Sequence, residues 1–385
     1  MRIGFISTYP PIECGIATYT HYLNTKLRNL KNETFVISQF GAQGEGVFPL
    51  YQPETSSFSE DIHNTSVRMT PDVIHIQHEY GLYGHLKGVE VIGLILRYRL
   101  DRIPVVTTLH TVHDEYDERE HLLLKYIIEE SSAIIVHEDH QHKSLTKHFG
   151  PSDKIFVIEH GMRDTEPIRN AKEKLNLKNK KVILLCGYFR PSKGFHKIID
   201  IFPDICKKDN NVVLVVAGKT RNLAFDDYRR TLFKQLNNSP VVDRIKIFRG
   251  QFPQYTFDTI ISAADVVVLP YEIGGQSGIL AQCYAMNVPV VTSNLRAFKN
   301  IINRSGGGLI CENDREYISN IFKVINDNDL RNQMKKNIRS YIKNKTSWSL
   351  IAERHIQVYH NVVTVPYGKA RYIYFPEPKR KNAGG

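Results

Sequence analysis

The stretch Ala264–Asn294 reads ADVVVLPYEIGGQSGILAQCYAMNVPVVTSN. Val266, Val267, Val268 and Leu269 form an apolar run of strand length that ends at Pro270. Gly274, Gly275, Gln276, Ser277 and Gly278 follow, without apolar bulk. A helix-like run comes next, and PVVTS reads as another strand. Strand, bare turn, helix, strand is the repeat of a parallel sheet covered on both faces. Glycines at a helix start leave its unpaired amides open to an anion.

The same alternation extends in both directions. RIGFIST, TFVISQF, DVIHIQH, PVVTTLH, AIIVHE and KIFVIEHG recur in the first half, and KVILLCG, NVVLVVAG, RIKIFRG, DVVVLP, VPVVTS and GGLIC in the second. Between them lie helically spaced apolar residues such as Ile16, Tyr19, Leu23 and Leu27. Two such sets in 385 residues predict an α/β protein with two Rossmann-like domains, their boundary in the polar stretch from Arg163 to Lys180. After NDNDLRNQ one long helical pattern runs to about Val363, followed by a tail ending in KRKNAGG.

Composition narrows the function. Hydrophobic residues are 42% and charged residues 24%, as in ordinary globular proteins, and no apolar run reaches membrane-span length. The N-terminus MRIGFISTYPP lacks the pattern of a signal peptide. Cys14, Cys186, Cys206, Cys283 and Cys311 are scattered with no CxxC pair, which predicts a reducing, cytoplasmic setting. The formal charge of +11 is uneven. Residues 1–160 hold 14 basic and 21 acidic side chains, a balance of −7, while residues 161–385 hold 37 and 19, a balance of +18. A basic half of this kind wants an anion, an anionic membrane surface or nucleic acid, or is a solvated face. No nucleic-acid motif accompanies the charge. GxSxG, the Walker lysine loop and HExxH are all absent.

Ligands of open α/β sheets bind beyond the carboxyl ends of the strands, so the segments there carry the candidates. STYPPIECGIATYT, Ser7–Thr20, turns at Gly15 into a helix whose N-terminus suits a phosphate or sugar hydroxyl. CGYFRPSKGF, Cys186–Phe195, projects Arg190 and Lys193 beside a helix start, a fork and a point charge suited to a diphosphate. At the opening stretch Ser277 is a candidate cap, and the amides of Gly278 and Ile279 are candidates for an anion. Histidines crowd the first half. HIQH, HTVH and HEDHQH invite a metal reading, but His75 and His110 read as lying at or near strand ends and HEDHQH as opening a polar helix. No metal site is expected, and His110 or His113 is expected as a polar contact.

Taken in order, GYFRPSKG, VVAGK, IFRGQF, ADVVVLPY, QSGIL and PVVTSN resemble the retaining nucleotide-sugar glycosyltransferases of family four, which have the GT-B fold. TYPPIECGIATYT, IQHEYGLYG, VVTTLHTVHDE and VIEHGMRD resemble that family's first-half segments, so the likeness covers roughly residues 1–360. It implies two Rossmann-like domains facing across a cleft: an acceptor domain over 1–165, a donor domain over 166–345, and a helix and tail over 346–385 that return to the first domain, with Trp348 on that helix. It implies that Arg190 and Lys193 hold the donor diphosphate, that His110 contacts the donor sugar, and that Gly15 lies near the donor phosphate. Gln251 and Phe252 fall where the backbone meets the nucleotide base.

The family usually carries two glutamates eight residues apart, and here Gly274 and Gln282 occupy those positions. GQSGIL resembles a subgroup with SQSG in their place. Gln276, Gln282 and Glu272 are therefore the candidates for sugar and ribose. The expected activity is metal-independent, retaining transfer of a hexose, mannose or glucose, from a GDP- or UDP-linked donor to an acceptor hydroxyl. No cofactor beyond that co-substrate is expected. The expected acceptor is a sugar or lipid-linked glycan, with peripheral contact to anionic membrane at the inner face and no nucleic-acid partner. A GT-B phosphorylase, an epimerase and a nucleotide-sugar binding module without turnover are the alternatives.

Overall fold

A computed structural model describes residues 1–53, 58–84, 86–220, 225–273 and 278–363. The chain forms two compact units, Met1–Gly161 with the chain from Trp348 onward, and Met162–Ser347. Each is a parallel α/β unit.

The first unit holds seven strands: β1 (Arg2–Ile6), β2 (Glu33–Gln39), β3 (Val47–Tyr51), β4 (Val73–His78), β5 (Val105–Leu109), β6 (Ala133–Val136) and β7 (Ile155–Val157). Their order is β3-β2-β1-β4-β5-β6-β7, every pair parallel. Period-two alternation sends Ile6, Ile37, Ile74, Ile76 and Val105 into one core. Ile3, Phe5, Val36, Val73 and Val106 go into the other, against Tyr19, Leu23 and Leu27 of the helix Gly15–Asn29. The helix Trp348–Val362 completes that second core with Trp348, Ile351, Ala352 and Tyr359. The Trp348 indole meets Tyr19 edge-on at 5.0 Å and stacks on Tyr22 at 5.7 Å.

β3 is absent from the sequence reading. Its run VFPLY is short and carries Pro49, which cannot donate to a ladder. β3 sits at the sheet edge and pairs on one side only, where that loss is tolerated. His75 is also placed differently from expectation. It lies inside β4, paired in register with Phe5 and Val106, and is fully buried.

The second unit holds β8 (Lys181–Tyr188), β9 (Val212–Lys219), β10 (Ile245–Arg249), β11 (Val266–Leu269), β12 (Val290–Ser293) and β13 (Gly308–Cys311), in the order β10-β9-β8-β11-β12-β13 and again all parallel. Its two cores lie on the two faces. Leu184, Val215 and Val267 point into one, and Ile183, Leu214 and Val266 into the other.

The long helical pattern that follows NDND is broken in the structure. Asp327 caps the helix Asn328–Tyr341 by accepting from Leu330 N at 2.9 Å. A π-type turn follows over Ile342–Thr346, Ser347 is extended, and Trp348 starts a separate helix. Met162 N donates to Thr346 O at 2.7 Å, and Met162 bridges Ser347. The helix thus ends where the two connecting segments pair. Among the described residues, no helix is long and apolar enough to cross a membrane.

Gly161 shows how closely the last helix is seated. A Cβ there meets the Trp348 ring at 2.4 Å, and the indole is 4% exposed with nowhere to retreat. Gly161→Ala is expected to lower stability by about 1–3 kcal/mol, as overpacking does. Gly278→Ala, whose Cβ meets nothing within 4 Å, provides the comparison with no packing cost. Urea unfolding of both variants checks this.

Candidate active site

In the second unit the chain runs outward from β8 to β9 and β10, then returns to place β11, β12 and β13 on the other side. The reversal leaves a switch point between β8 and β11, where ligands of such sheets bind. β8 is followed by Phe189, Arg190 and a 3-10 turn over Pro191–Lys193, and Phe195 opens a helix. Gly194 is left-handed with φ +62°, and a Cβ there lies 2.0 Å from the carbonyl oxygen of Pro270, so only glycine brings the two loops this close.

That proximity sets the electrostatics. Lys193 Nζ sits 3.4 Å from the centroid of the Tyr271 ring. Lys193 is 9% exposed, and burial together with the Arg190 charge pulls its pKa down to about 7. Arg190 Nε is buried with no hydrogen-bond partner among the described residues. Two cations near each other, one reluctant to hold its proton, make a place that an anion relieves.

Glu272 N donates to Ser192 O at 3.0 Å, tying the two loops again. The Glu272 carboxylate pairs with Lys197 at 2.9 Å and lies 3.7 Å from His196. Gln276 and Ser277, with the proposed cap, lie outside the described residues, as does Gly274. The helix Gly278–Ala285 begins directly after them. Ile279 packs against Gly187, whose Cβ position lies 3.7 Å from the isoleucine side chain, and so ties this helix start to the end of β8.

Gln282 is not a lone side chain. Its Oε1 accepts from Arg163 Nη2 at 2.5 Å and from Gln254 Nε2 at 3.3 Å. Arg163 forms a two-pronged pair with Asp258 at 2.8 and 2.6 Å. With its oxygen held by two donors, the Gln282 amide turns its NH2 the other way. Gln251 Oε1 accepts from Lys219 Nζ at 2.7 Å, and Phe252 stacks on Phe257 at 6.4 Å.

The first unit has its own switch point, between β1 and β4. The loop after β1 leads to Gly15, the first residue of its helix, where a Cβ meets nothing within 4 Å. His110 follows β5 and is held by a chain of polar groups. His110 Nε2 donates to Gln77 Oε1 at 2.8 Å, and Gln77 Nε2 lies 3.1 Å from His75 Nε2. His75 Nδ1 bonds the Tyr359 hydroxyl at 2.7 Å. On the other side His137 gives its Nδ1 proton to the Ile158 carbonyl at 3.0 Å, and its Nε2 lies 3.4 Å from His110 Nδ1 with no proton between them when both rings are neutral. The ring of His110 is thus oriented by the one bond it donates, to Gln77. Burial and neighbouring imidazoles hold its pKa well below the usual histidine value, so it is neutral. His113 stacks on Tyr80 at 5.6 Å, and its Nδ1 lies 3.4 Å from Glu120. Among the described residues, no group of three or more His, Cys, Asp or Glu is placed to hold a metal ion.

The sequence reading missed Arg163, Asp258, Tyr271, Gln77 and His137. Arg163 lies in HGMRD, which by sequence belongs to the connection between the domains. Asp258 sits inside the helix Gln254–Ser262, 95 positions from its partner, with no local signal.

The buried imidazoles fix a pH response. Burial lowers His78 and His355 to about 4 and His137 to about 3, and holds His75 well below its ordinary value. All four accept protons on unfolding, so their stabilisation is complete above the unfolded pKa of about 6.5 and is lost as pH falls below it. Each costs about 1.4 kcal/mol per pH unit in that window. The denaturation midpoint of the first unit is expected to fall steeply between about pH 6.5 and pH 4, which urea titrations followed by Trp348 fluorescence will read.

Sequence patterns of two families match the chain. Glycosyltransferase Family 4 matches residues 14–166, and Glycosyl transferases group 1 matches residues 167–341. The capsular polysaccharide biosynthesis glycosyltransferase CapM of Staphylococcus aureus is 28% identical over 251 residues, 62% of this chain and 64% of CapM, so the chain spans under two thirds of that relative's length. Among solved structures, sucrose-phosphate synthase from Thermosynechococcus elongatus aligns with TM-score 0.74 and 17% identity, covering 94% of this chain and 99% of that one. Alr3699/HepE of Anabaena, solved with UDP and glucose, aligns with TM-score 0.71 and 15% identity over 94% of this chain and 100% of its own.

Proposed function

Since the chain belongs to the GT-B glycosyltransferases described by those two patterns, we propose that it transfers a hexose from a nucleoside diphosphate sugar to an acceptor hydroxyl with retention of configuration. The observation that carries the reading is the pair Arg190 and Lys193 at the β8/β11 switch point, beside the start of the helix Gly278–Ala285. In this reading the donor diphosphate lies against Arg190, Lys193 and the amides of Gly278 and Ile279. Negative charge grows on the β-phosphate as the sugar C1–O bond breaks, and these groups stabilise it where it develops. The acceptor oxygen bonds to C1 on the face the phosphate leaves, and its proton passes to a phosphate oxygen.

The two cations occupy the role a metal fills elsewhere, so turnover without a divalent ion is part of the proposal. UDP and GDP donors, carrying glucose or mannose, both fit this reading. Gln251 and Phe252 are assigned to the base. Gln282 is assigned to the ribose as a donor of N–H bonds in place of a carboxylate, with Gln276 and Glu272 near the sugar. The first unit is assigned to the acceptor, and Gly15 and His110 keep the roles the resemblance implies for them. A sugar or lipid-linked glycan fits the acceptor, and the +18 balance of residues 161–385 fits an anionic membrane surface on the cytoplasmic side.

Arg190→Ala and Lys193→Ala should each weaken donor binding by about 1.5–3 kcal/mol, the worth of a hydrogen bond to a charged group. Nucleoside diphosphate release measured with donor and a glycan panel tests the reading, and full activity in either variant overturns the clamp. A phosphate beside Lys193 raises its pKa from about 7, so binding takes up a proton and affinity falls as pH rises above neutrality. Calorimetry with UDP and GDP in buffers of different ionisation enthalpy measures that uptake.

Gly278→Val fills the space at the helix start and is expected to abolish donor binding. Gln282→Glu keeps the shape and finds Arg163 already in place, so it is expected to retain binding. Calorimetry on both variants decides, and normal binding by Gly278→Val means that the glycines serve the fold alone.

A further inference from the structure

The second unit holds another set of cations at the end of its sheet away from Arg190 and Lys193. Lys180 leads into β8 and Asp265 into β11, so this is the amino end of the parallel strands. The helix Asn328–Tyr341 packs there, with Ile338 and Tyr341 in the same core as Ala171 and Leu177. Its Arg331, Lys335 and Arg339 are spaced four apart and so form one stripe, about 12 Å long. Lys172, on the short helix Ala171–Lys174, stands close enough for its charge to act on Lys335.

Two of these four cations have carboxylate partners. Lys172 Nζ donates to Asp265 Oδ2 at 2.6 Å and to the Lys180 carbonyl at 2.8 Å. The same carboxylate oxygen also accepts from Val182 N at 2.7 Å. Arg339 Nη2 reaches Glu166 at 3.1 Å, and Arg339 Nε donates to the Asn287 amide oxygen at 3.0 Å. The other two have no carboxylate bonded to them among the described residues. Arg331 donates to neutral oxygens, the Val324 carbonyl at 2.8 Å and Asn328 Oδ1. Lys335 is half-buried, and neither a hydrogen bond nor an ion pair holds its ammonium among the described residues.

A half-buried ammonium among like charges is unfavourable. Burial and the charges of Arg331, Lys172 and Arg339 hold its pKa below the usual lysine value, against the pull of Asp265. Each terminal nitrogen of Arg331 keeps a further N–H beyond the bond it makes. A guanidinium fork beside a mobile point charge is the combination that takes the terminal oxygens of a phosphate group. Strand-end ligands of such sheets bind at the carboxyl end, so nothing in the transfer reading occupies this face.

We propose that Lys172, Arg331, Lys335 and Arg339 form a phosphate-binding site at the amino end of the second unit's sheet, separate from the donor site. The ligand class is a phosphate monoester, carried by a soluble metabolite or by a lipid headgroup.

The test uses the full chain, with ionic strength held constant by potassium chloride so that screening does not change. Inorganic phosphate and glycerol 3-phosphate are titrated by thermal shift. Vesicles of phosphatidylcholine with and without phosphatidic acid are tested by flotation. Arg190→Ala is run alongside, because phosphate also suits the donor clamp. A rise in Tm with a soluble phosphate, or flotation with phosphatidic acid, is expected in both the native chain and Arg190→Ala. Lys335→Met, which keeps an unbranched stem without the charge, is expected to weaken that response about tenfold or more, the worth of a charged hydrogen bond. Arg331→Gln is expected to do the same. Without ligand, Lys335→Met is expected to be at least as stable as the native chain, since it removes the repulsion. A response to glycerol 3-phosphate assigns the soluble source, and a response to phosphatidic acid vesicles alone assigns the headgroup. No response to any probe, an equal response in Lys335→Met, or a response that vanishes in Arg190→Ala overturns the proposal. UDP binding should be unchanged in Lys335→Met, so the donor reading stands or falls on its own titration.

Discussion

Parallel strands cannot be joined by tight turns. Each needs a crossover, and a crossover helix must return to the amino end of the next strand. In both units the chain builds one side of the sheet, returns to the middle, and builds the other. At the return, the segments leaving two neighbouring strands diverge to opposite faces and the carboxyl ends between them stay open. The other features of function follow from this. Arg190 and Lys193 lie at such a divergence, and so do the start of the helix Gly278–Ala285 and the loop that ends at Gly15.

The groups at the second unit's switch point are held by backbone approach more than by side-chain packing. Gly194 lets its loop touch Pro270, Glu272 N reaches Ser192 O, and Gly187 makes room for Ile279. These contacts bring together segments that are 76 to 92 positions apart, and they place Lys193 over the Tyr271 ring. The low pKa of that lysine follows from the same closeness, because the loop that delivers it also strips its water.

The first unit solves a different problem. It buries histidines in its sheet and under the last helix, and burial holds them as neutral rings. His75, Gln77 and His110 form one polar chain that ends at Tyr359, and His137 donates separately to the Ile158 carbonyl. The helix Trp348–Val362 supplies that terminal hydroxyl as well as the indole that closes the core. Such a network rigidifies its surroundings when complete and is costly when broken. The same chain sets the ring orientation of His110.

What the sequence determined by itself was whatever depends on neighbours along the chain. Val- and Ile-rich runs with bounding turn residues were enough for twelve strands, because a strand buried on both faces has to be apolar throughout. The order of short segments such as GYFRPSKG and QSGIL was enough for the family. Only the tertiary structure decided what rests on distant partners. VFPLY became β3 because an edge forgives Pro49, and the final helical pattern broke at Ser347 because Met162 pairs there. Gln282 was visible as a residue out of place. Its orientation was not, because Arg163 and Asp258, which set it, come from separate segments that only the packed sheet and its helices bring within hydrogen-bond reach.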